Sequence, residues 1–381
     1  MDKETVYYCL LGKAFGFNPV VGIKLIEAVG DVADVFSMDA AYLARLHPLV
    51  QLNNEELEKT AQELERLRRK GCYYVTIGQK TYPPMLRECE DAPLGLYVRS
   101  DSPPEDVFLG AAPIAIVGTR DISHYGIEWC GKITAGIALA REKPPIVSGL
   151  AIGTDIVAHR TALKSGARTV AVMATGIDAV YPSVHNYDAS VIAATEGCAL
   201  VTDYPPGTSP VAFNFLRRNR IIAGMSRTVI LVESKERGGG LMTAHLAYTY
   251  SRDVYVLPGR IDDLRSGGCN LLLSQRKAEA FCSLDDLLLK LGLHSGRRSF
   301  GAAAALAPEK IFRGRLPDEE IERIKAIAKI IYGNRGISTA ELCQKSGLEI
   351  TEINYLLPLM EAENLIYRDL LGNCSIRNTL G

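Results

Sequence analysis

Apolar positions change their spacing twice along the chain. Up to about residue 70 they recur at helical intervals. Val21, Leu25, Ile26 and Val29 make one stripe; Leu57, Ala61, Leu64 and Leu67 make another, in a charged segment ending Arg68-Arg69-Lys70-Gly71. From about 72 to 290 the pattern becomes short continuous apolar runs, several ended by glycine, alternating with helical stretches. The runs are 113–118, 145–149, 169–174, 199–202, 228–232 and 254–259, for example Ile114-Ala115-Ile116-Val117-Gly118. Beyond 316 helical periodicity returns. Residues 317–333 are amphipathic, and Ser338-Thr339-Ala340-Glu341 is a capping box opening a helix that stops at Gly347. A third helix near 351–363, expected to kink at Pro358, leads into Leu365-Ile366-Tyr367-Arg368 and a turn at Gly372-Asn373.

Strands buried on both faces need continuous Val/Ile runs, and parallel strands need helical crossovers between them. The middle of the chain therefore reads as an α/β, Rossmann-like, doubly wound and mostly parallel sheet. The predicted organisation is an N-terminal helical module over 1–71, SAM/helix-hairpin-helix-like, and the α/β domain over 72–290. A linker over 291–316 follows, with the alanine run 302–305, and then a winged helix over 317–381. The turn Gly16-Phe17-Asn18-Pro19 resembles a phosphate-gripping hairpin, but it lacks an adjacent basic cluster and reads as packing.

Composition narrows the function. With 381 residues, 47% hydrophobic and 23% charged, the chain is ordinary globular material, and a formal charge of −1 gives no global pull toward polyanions. Any such site must be a local cluster. Nine scattered cysteines without a C-x-x-C pair argue against a disulfide framework and a zinc site. No apolar stretch approaches the ~18 residues of a membrane span, and the start Met1-Asp2-Lys3-Glu4 is unlike a signal peptide, so a cytoplasmic protein without membrane association is expected.

In an open parallel sheet, ligands bind beyond the carboxyl ends of the strands, where helix N-termini attract anions. Four loops carry suitable residues there: Gly118-Thr119-Arg120; Ser148-Gly149-Leu150-Ala151-Ile152-Gly153-Thr154-Asp155; Phe213-Asn214-Phe215-Leu216-Arg217-Arg218-Asn219-Arg220; and Gly238-Gly239-Gly240-Leu241-Met242-Thr243-Ala244. The third is the most specific. Three arginines in four residues beside two phenylalanines combine phosphate clamps with stacking faces, which suits single-stranded nucleic acid. The alternative is that Phe213 and Phe215 are core and the arginines pair with Glu233 or Asp203. Neither G-x-G-x-x-G nor G-x-x-x-x-G-K-[ST] occurs, so dinucleotide and triphosphate cofactors lose support. His159, one turn after Asp155, reads as half of a structural Asp–His pair. No catalytic motif, metal site or cofactor is expected.

In order and spacing, Tyr82-Pro83-Pro84-Met85-Leu86, Ile116-Val117-Gly118-Thr119-Arg120, Ser148 through Asp155, Tyr181-Pro182, Arg218-Asn219-Arg220-Ile221-Ile222-Ala223-Gly224, Leu241-Met242-Thr243-Ala244 and Leu257-Pro258-Gly259 strongly resemble the DNA-processing protein A (DprA/Smf) family. The resemblance runs from roughly 80 to 280. It implies a non-enzymatic homodimer that binds single-stranded DNA in natural transformation, protects it, displaces single-strand-binding protein and loads RecA recombinase. Its strand contacts would fall on Gly118, Thr119, Arg120, Ser148, Gly149, Phe215, Arg218, Asn219 and Arg220, with Gly153, Arg217, Gly239 and Gly240 completing the candidate set. Phosphates would be held by Arg120, Arg218, Arg220 and the helix N-termini at 149–155 and 239–243, with Phe215 under a base.

The family commonly has isoleucine at Thr154, glutamate at Asp203 and a Ser-Gly pair at Gly239-Gly240; the last exchange leaves bare backbone N–H groups. The third helix of the C-terminal domain offers Glu349, Glu352, Glu361 and Glu363 but no Lys or Arg. Protein contacts or dimer geometry are therefore expected of it rather than groove reading. A rival reading is a nucleotide-processing hydrolase of the phosphoribohydrolase type. Its P-G-G-x-G-T-x-x-E stretch has only Pro258-Gly259-Arg260-Ile261-Asp262 as a counterpart. A purely structural partner would leave the arginine-phenylalanine segment without a role.

Overall fold

The computed structural model describes residues 2–39, 43, 52–294, 308–309, 311–334, 336–363, 365–369 and 372–376. The alanine run and Ser295-Gly296-Arg297-Arg298 lie outside them. Backbone contacts divide the chain into Met1–His294 and Ser295–Gly381.

The first unit is built on nine strands: β1 (Cys72–Thr76), β2 (Gly95–Arg99), β3 (Ile114–Val117), β4 (Ile146–Ser148), β5 (Thr169–Val172), β6 (Ala199–Thr202), β7 (Thr228–Leu231), β8 (Asp253–Val256) and β9 (Glu279–Ala280). Their spatial order is β1-β2-β6-β5-β4-β3-β7-β8-β9. β1 and β2 run antiparallel at one edge, and β3 through β9 pair in parallel. The six apolar runs are the six central strands, β3 to β8. Their side chains alternate between two buried faces, which is why they read as unbroken hydrophobic runs. Ala115, Val117, Val229 and Leu231 face one core with Ile221, Ile222, Leu241 and Ala244, whereas Ile114, Ile116, Ile230 and Val232 face another with Ile133, Ile137 and Ala158.

The helices of 1–71 build no core of their own. Val6, Cys9, Leu11, Phe15, Leu64 and Leu67 share a cluster with Tyr74 and Tyr97 of β1 and β2 and with Ala171 and Leu200 of the central sheet. The turn at 16–19 spends its Asn18 N–H on the Phe15 carbonyl (2.7 Å) and leaves Phe17 exposed.

The second unit has helices Asp318–Gly333, Thr339–Ser346 and Ile350–Ala362 and an antiparallel pair, β10 (Ile366–Arg368) and β11 (Cys374–Ile376). Its core joins Ile324, Ile331, Leu342, Ile353, Leu357 and Met360 to Phe312, so the described end of the expected linker already belongs to this unit. The capping box at Ser338/Glu341 is present, and Gly347 ends its helix in the left-handed conformation (φ 70°). Pro358, in contrast, does not interrupt the third helix. It sits on the solvent face, where water can satisfy the carbonyl it leaves unpaired, while Leu357 and Met360 anchor the flanking turns. The acidic character of that helix is also largely internal: Glu352 pairs with Arg323 (2.7 Å), Glu361 with Arg368 (2.7 Å) and Glu363 with Arg315 (2.9 Å).

Candidate nucleic-acid interface

The strand order reverses between β3 and β7, the place where an open α/β sheet opens a crevice at its carboxyl edge. A cleft of about 500 Å³ lies there, lined by parts of the first, third and fourth sequence loops together with Asp155, Tyr181 and Pro210. Two glycines let these loops close on each other. A side chain on Gly118 would strike Thr154, and one on Gly240 would come within 2.9 Å of the Gly118 Cα.

Arg120 is exposed, and its guanidinium lies 5.1 Å from the centroid of the Phe215 ring. Among the described residues no carboxylate pairs with it. Phe215 in turn meets exposed Tyr181, with ring centroids 5.4 Å apart at 60°. A cation and two aromatic faces thus border the same space. On the opposite wall, helix Gly239–Thr249 begins with Gly239 and Gly240 at the cleft, and nothing lies within 4 Å of where a Gly239 side chain would be. The amides of a first helical turn lack intrahelical acceptors and favour an anion.

The three arginines of the third loop have separate fates. Arg218 reaches the cleft floor but is 4% exposed, and it donates to the Gly149 carbonyl (2.7 Å) and to that of Val172. Burial lowers its pKa to about 10, so it stays charged at neutral pH. Gly149 is required here, since a Cβ would stand 2.5 Å from that guanidinium. Beside it, burial raises the Asp155 carboxyl, with the Arg218 charge opposing. Arg220, expected at a phosphate, is engaged within the protein. Its guanidinium is buried on Asp203 (2.6 Å) and on the Asp91 carbonyl. Arg217 also reaches Asp203 (3.2 Å) and lies against the rings of Phe17 and Tyr204, each 5.3 Å away. Neither Arg217 nor Arg220 lines the cleft. Asn219 ties the helix to the opposite wall by donating to the Gly239 carbonyl (3.3 Å).

The second loop brings Ala151 and Asp155 to the cleft, while several of its polar groups are spent inside the protein. Ser148 is buried and donates to Ile116, and Thr154 N–H donates to the Thr119 carbonyl (3.2 Å). Ala151 N–H contacts Asp155 (3.4 Å). Gly153 adopts a left-handed conformation (φ 86°) with no room for a Cβ beside the carbonyls of Thr119 and Arg120. The Thr154 and Ala151 amides of this segment are thus taken by the chain's own acceptors, and the Thr154 contact ties it to the Arg120 loop. The expected Asp155–His159 pair does not form either: His159 Nδ1 bonds Thr169 (2.8 Å). Tyr181 is the cleft residue least legible as a site residue in the sequence, because a loop 36 residues before Arg217 brings it in. The counterpart of the hydrolase motif, 258–262, does not line the cleft, and Asp262 there pairs with Arg260 (2.8 Å).

Sheet, switch point and cleft define an open α/β protein with a crevice lined by arginine, aromatic and glycine residues at its carboxyl edge. Residues 73–292 match the family model of DNA recombination-mediator protein A, and the chain belongs to that family, whose members are DNA-binding recombination mediators rather than enzymes. Protein Smf of Synechocystis is 38% identical over 76% of this chain and 73% of its own length. DNA processing protein DprA of Streptococcus pneumoniae is 34% identical over 68% of this chain and 86% of its own. The crystal structure of the S. pneumoniae protein superposes with a TM-score of 0.61 at 30% identity, covering 76% of this chain and 98% of that one. DNA processing protein A of Helicobacter pylori, whose structure is described as giving insight into its single-stranded DNA binding mode, superposes with a TM-score of 0.51 at 27% identity over 58% of this chain and 97% of that one.

Proposed function

We propose that this chain binds single-stranded DNA in the carboxyl-edge cleft. The observation that carries the reading is the unpaired, exposed Arg120 guanidinium lying on Phe215 at the switch point. Arg120 and the amides of Gly239 and Gly240 hold phosphates, Phe215 and Tyr181 stack bases, and Thr119 lines the path. Arg218 contributes positive charge from the floor, while Gly118, Ser148, Gly149 and Gly153 fix the loops around it. Arg217, Asn219 and Arg220 act through the position of helix Ala212–Met225 rather than by touching the strand. The description of the H. pylori relative supports the ligand class.

In this reading the protein works in the cytoplasm as a homodimer through its α/β unit during natural transformation, protects incoming strands, displaces single-strand-binding protein and loads RecA. The C-terminal unit, read as a winged helix, serves protein contacts or dimer geometry, since its third helix lacks Lys and Arg. Fluorescence anisotropy with a labelled single strand and its duplex tests the ligand. The single strand is expected to bind more tightly, with a log–log salt slope of about −0.7 per phosphate contacted, and Arg120→Ala is expected to weaken it. Equal affinity of variant and wild type would move the site elsewhere.

A further inference from the structure

We infer a second phosphodiester-binding subsite on the β1–β2 side of the sheet, in a cleft of about 540 Å³ bordered by Arg66, Lys70 and Arg99. The inference rests on the strand-binding reading above and extends its path. Two acids, Glu63 and Asp178, also line this cleft, but both are engaged: Glu63 pairs with Lys13 (2.8 Å), and Asp178 accepts from Gly207 N–H (2.9 Å). The cations are not. Lys70 and Arg66 are exposed and Arg99 is half-buried; among the described residues none has a carboxylate partner, and Arg66 makes only a 3.4 Å contact to the Gln62 carbonyl. With Glu63 neutralised by Lys13 and only Asp178 set against them, the three cations leave the cavity net positive, which favours an anion.

Continuity with the first cleft selects the anion. The loop 176–181 places Asp178 in one cleft and Tyr181 in the other, and the loop 205–210 places Gly207 in one and Pro210 in the other. The two loops are stapled by Gly176 N–H to the Thr208 carbonyl (3.1 Å) and by Asp178 to Gly207. A single strand leaving Tyr181 would cross this two-loop ridge and meet Arg99, Lys70 and Arg66. A polymer can occupy both sites; a mononucleotide cannot.

The test compares a short single strand of about 6 nucleotides with one of about 20, spanning the range of single-strand site sizes. In the full-length protein, Arg66→Ala/Lys70→Ala should leave the short strand's affinity unchanged, weaken the long strand roughly three- to tenfold at low salt, and flatten its log–log salt slope by about 1. Arg99→Ala provides a second, independent reading on the sheet side. Arg68→Ala/Arg69→Ala, which removes the same charge beside the cleft, should weaken the long strand less. Equal long-strand affinity and slope in wild type and the Arg66/Lys70 variant would overturn the subsite. So would an equal loss in the Arg68/Arg69 control. Failure of the wild type to bind the short strand would instead overturn the first cleft, so the two readings fail separately.

Discussion

Arg120 is the residue on which the binding reading turns. Among the described residues it has no carboxylate to compensate it, and it faces a ring, so its removal takes away both a phosphate contact and a cation–π contact worth ~0.5–2 kcal/mol. Arg120→Ala should lower single-strand affinity about tenfold or more with only a small fall in melting temperature, the exposed cation–π contact to Phe215 being the stability it removes, as anisotropy and thermal unfolding would read together. Asp203 poses the opposite case. Its carboxylate, 4% exposed, compensates two buried guanidinium groups, so Asp203→Asn should cost ~3–5 kcal/mol in urea unfolding, while Asp203→Glu, which keeps the charge, should cost less. His159 sets a pH dependence. Burial lowers its pKa from 6.5 to about 3, so below pH 6.5 the unfolded chain takes up a proton that the folded chain refuses. Stability should thus be full above pH 6.5 and fall by up to ~1.4 kcal/mol per pH unit toward pH 5. The pKa of His245, also lowered by burial, acts with the same sign. His159→Gln should flatten the slope between pH 6.5 and 5 in urea titrations.

At the scale of elements, the site depends on how closely two loops and two helix starts approach. The Gly118 and Gly240 backbones touch, so Gly240→Ala must push the helix Gly239–Thr249 off the β3 loop, even though alanine favours helix in isolation. That variant should lose single-strand affinity and stability together, whereas Gly239→Ala, in open space, should keep stability. In the second unit the exposed Pro358, inside a continuous helix, costs helix energy. Pro358→Ala should therefore raise that unit's melting temperature, read by calorimetry. The strands and the capping box were legible because each rests on local spacing. The uninterrupted third helix was not, because proline's local cost is outweighed by the burial of Leu357 and Met360, a tertiary effect.

For the whole molecule, backbone contacts divide the chain at 294–295, with the helices of 1–71 in the first unit. The N-terminal helices cover Tyr74, Tyr97 and Leu200, so deletion of 1–71 would expose a large apolar face and should yield unfolded or aggregated protein. Truncation after His294 should leave the first unit with an unchanged cooperative transition and an unchanged affinity for a short single strand. Sequence periodicity announces helices in 1–71 but cannot say which surface they bury, since that surface belongs to strands far along the chain.

By itself the sequence determined the alternation that makes a parallel sheet, the glycine loops at its carboxyl edge and the motif series that marks the family. All of these are properties of neighbours along the chain. Tertiary structure decided which of four candidate arginines meets solvent. Arg120, Arg217, Arg218 and Arg220 look alike as residue types, but charge burial must be compensated. Asp203 and Asp91 claim Arg220, Asp203 claims Arg217 between two rings, and the carbonyls of Gly149 and Val172 claim Arg218. Arg120, on the only one of these segments that ends at the open cleft without a carboxylate beside it among the described residues, keeps its charge available for a ligand.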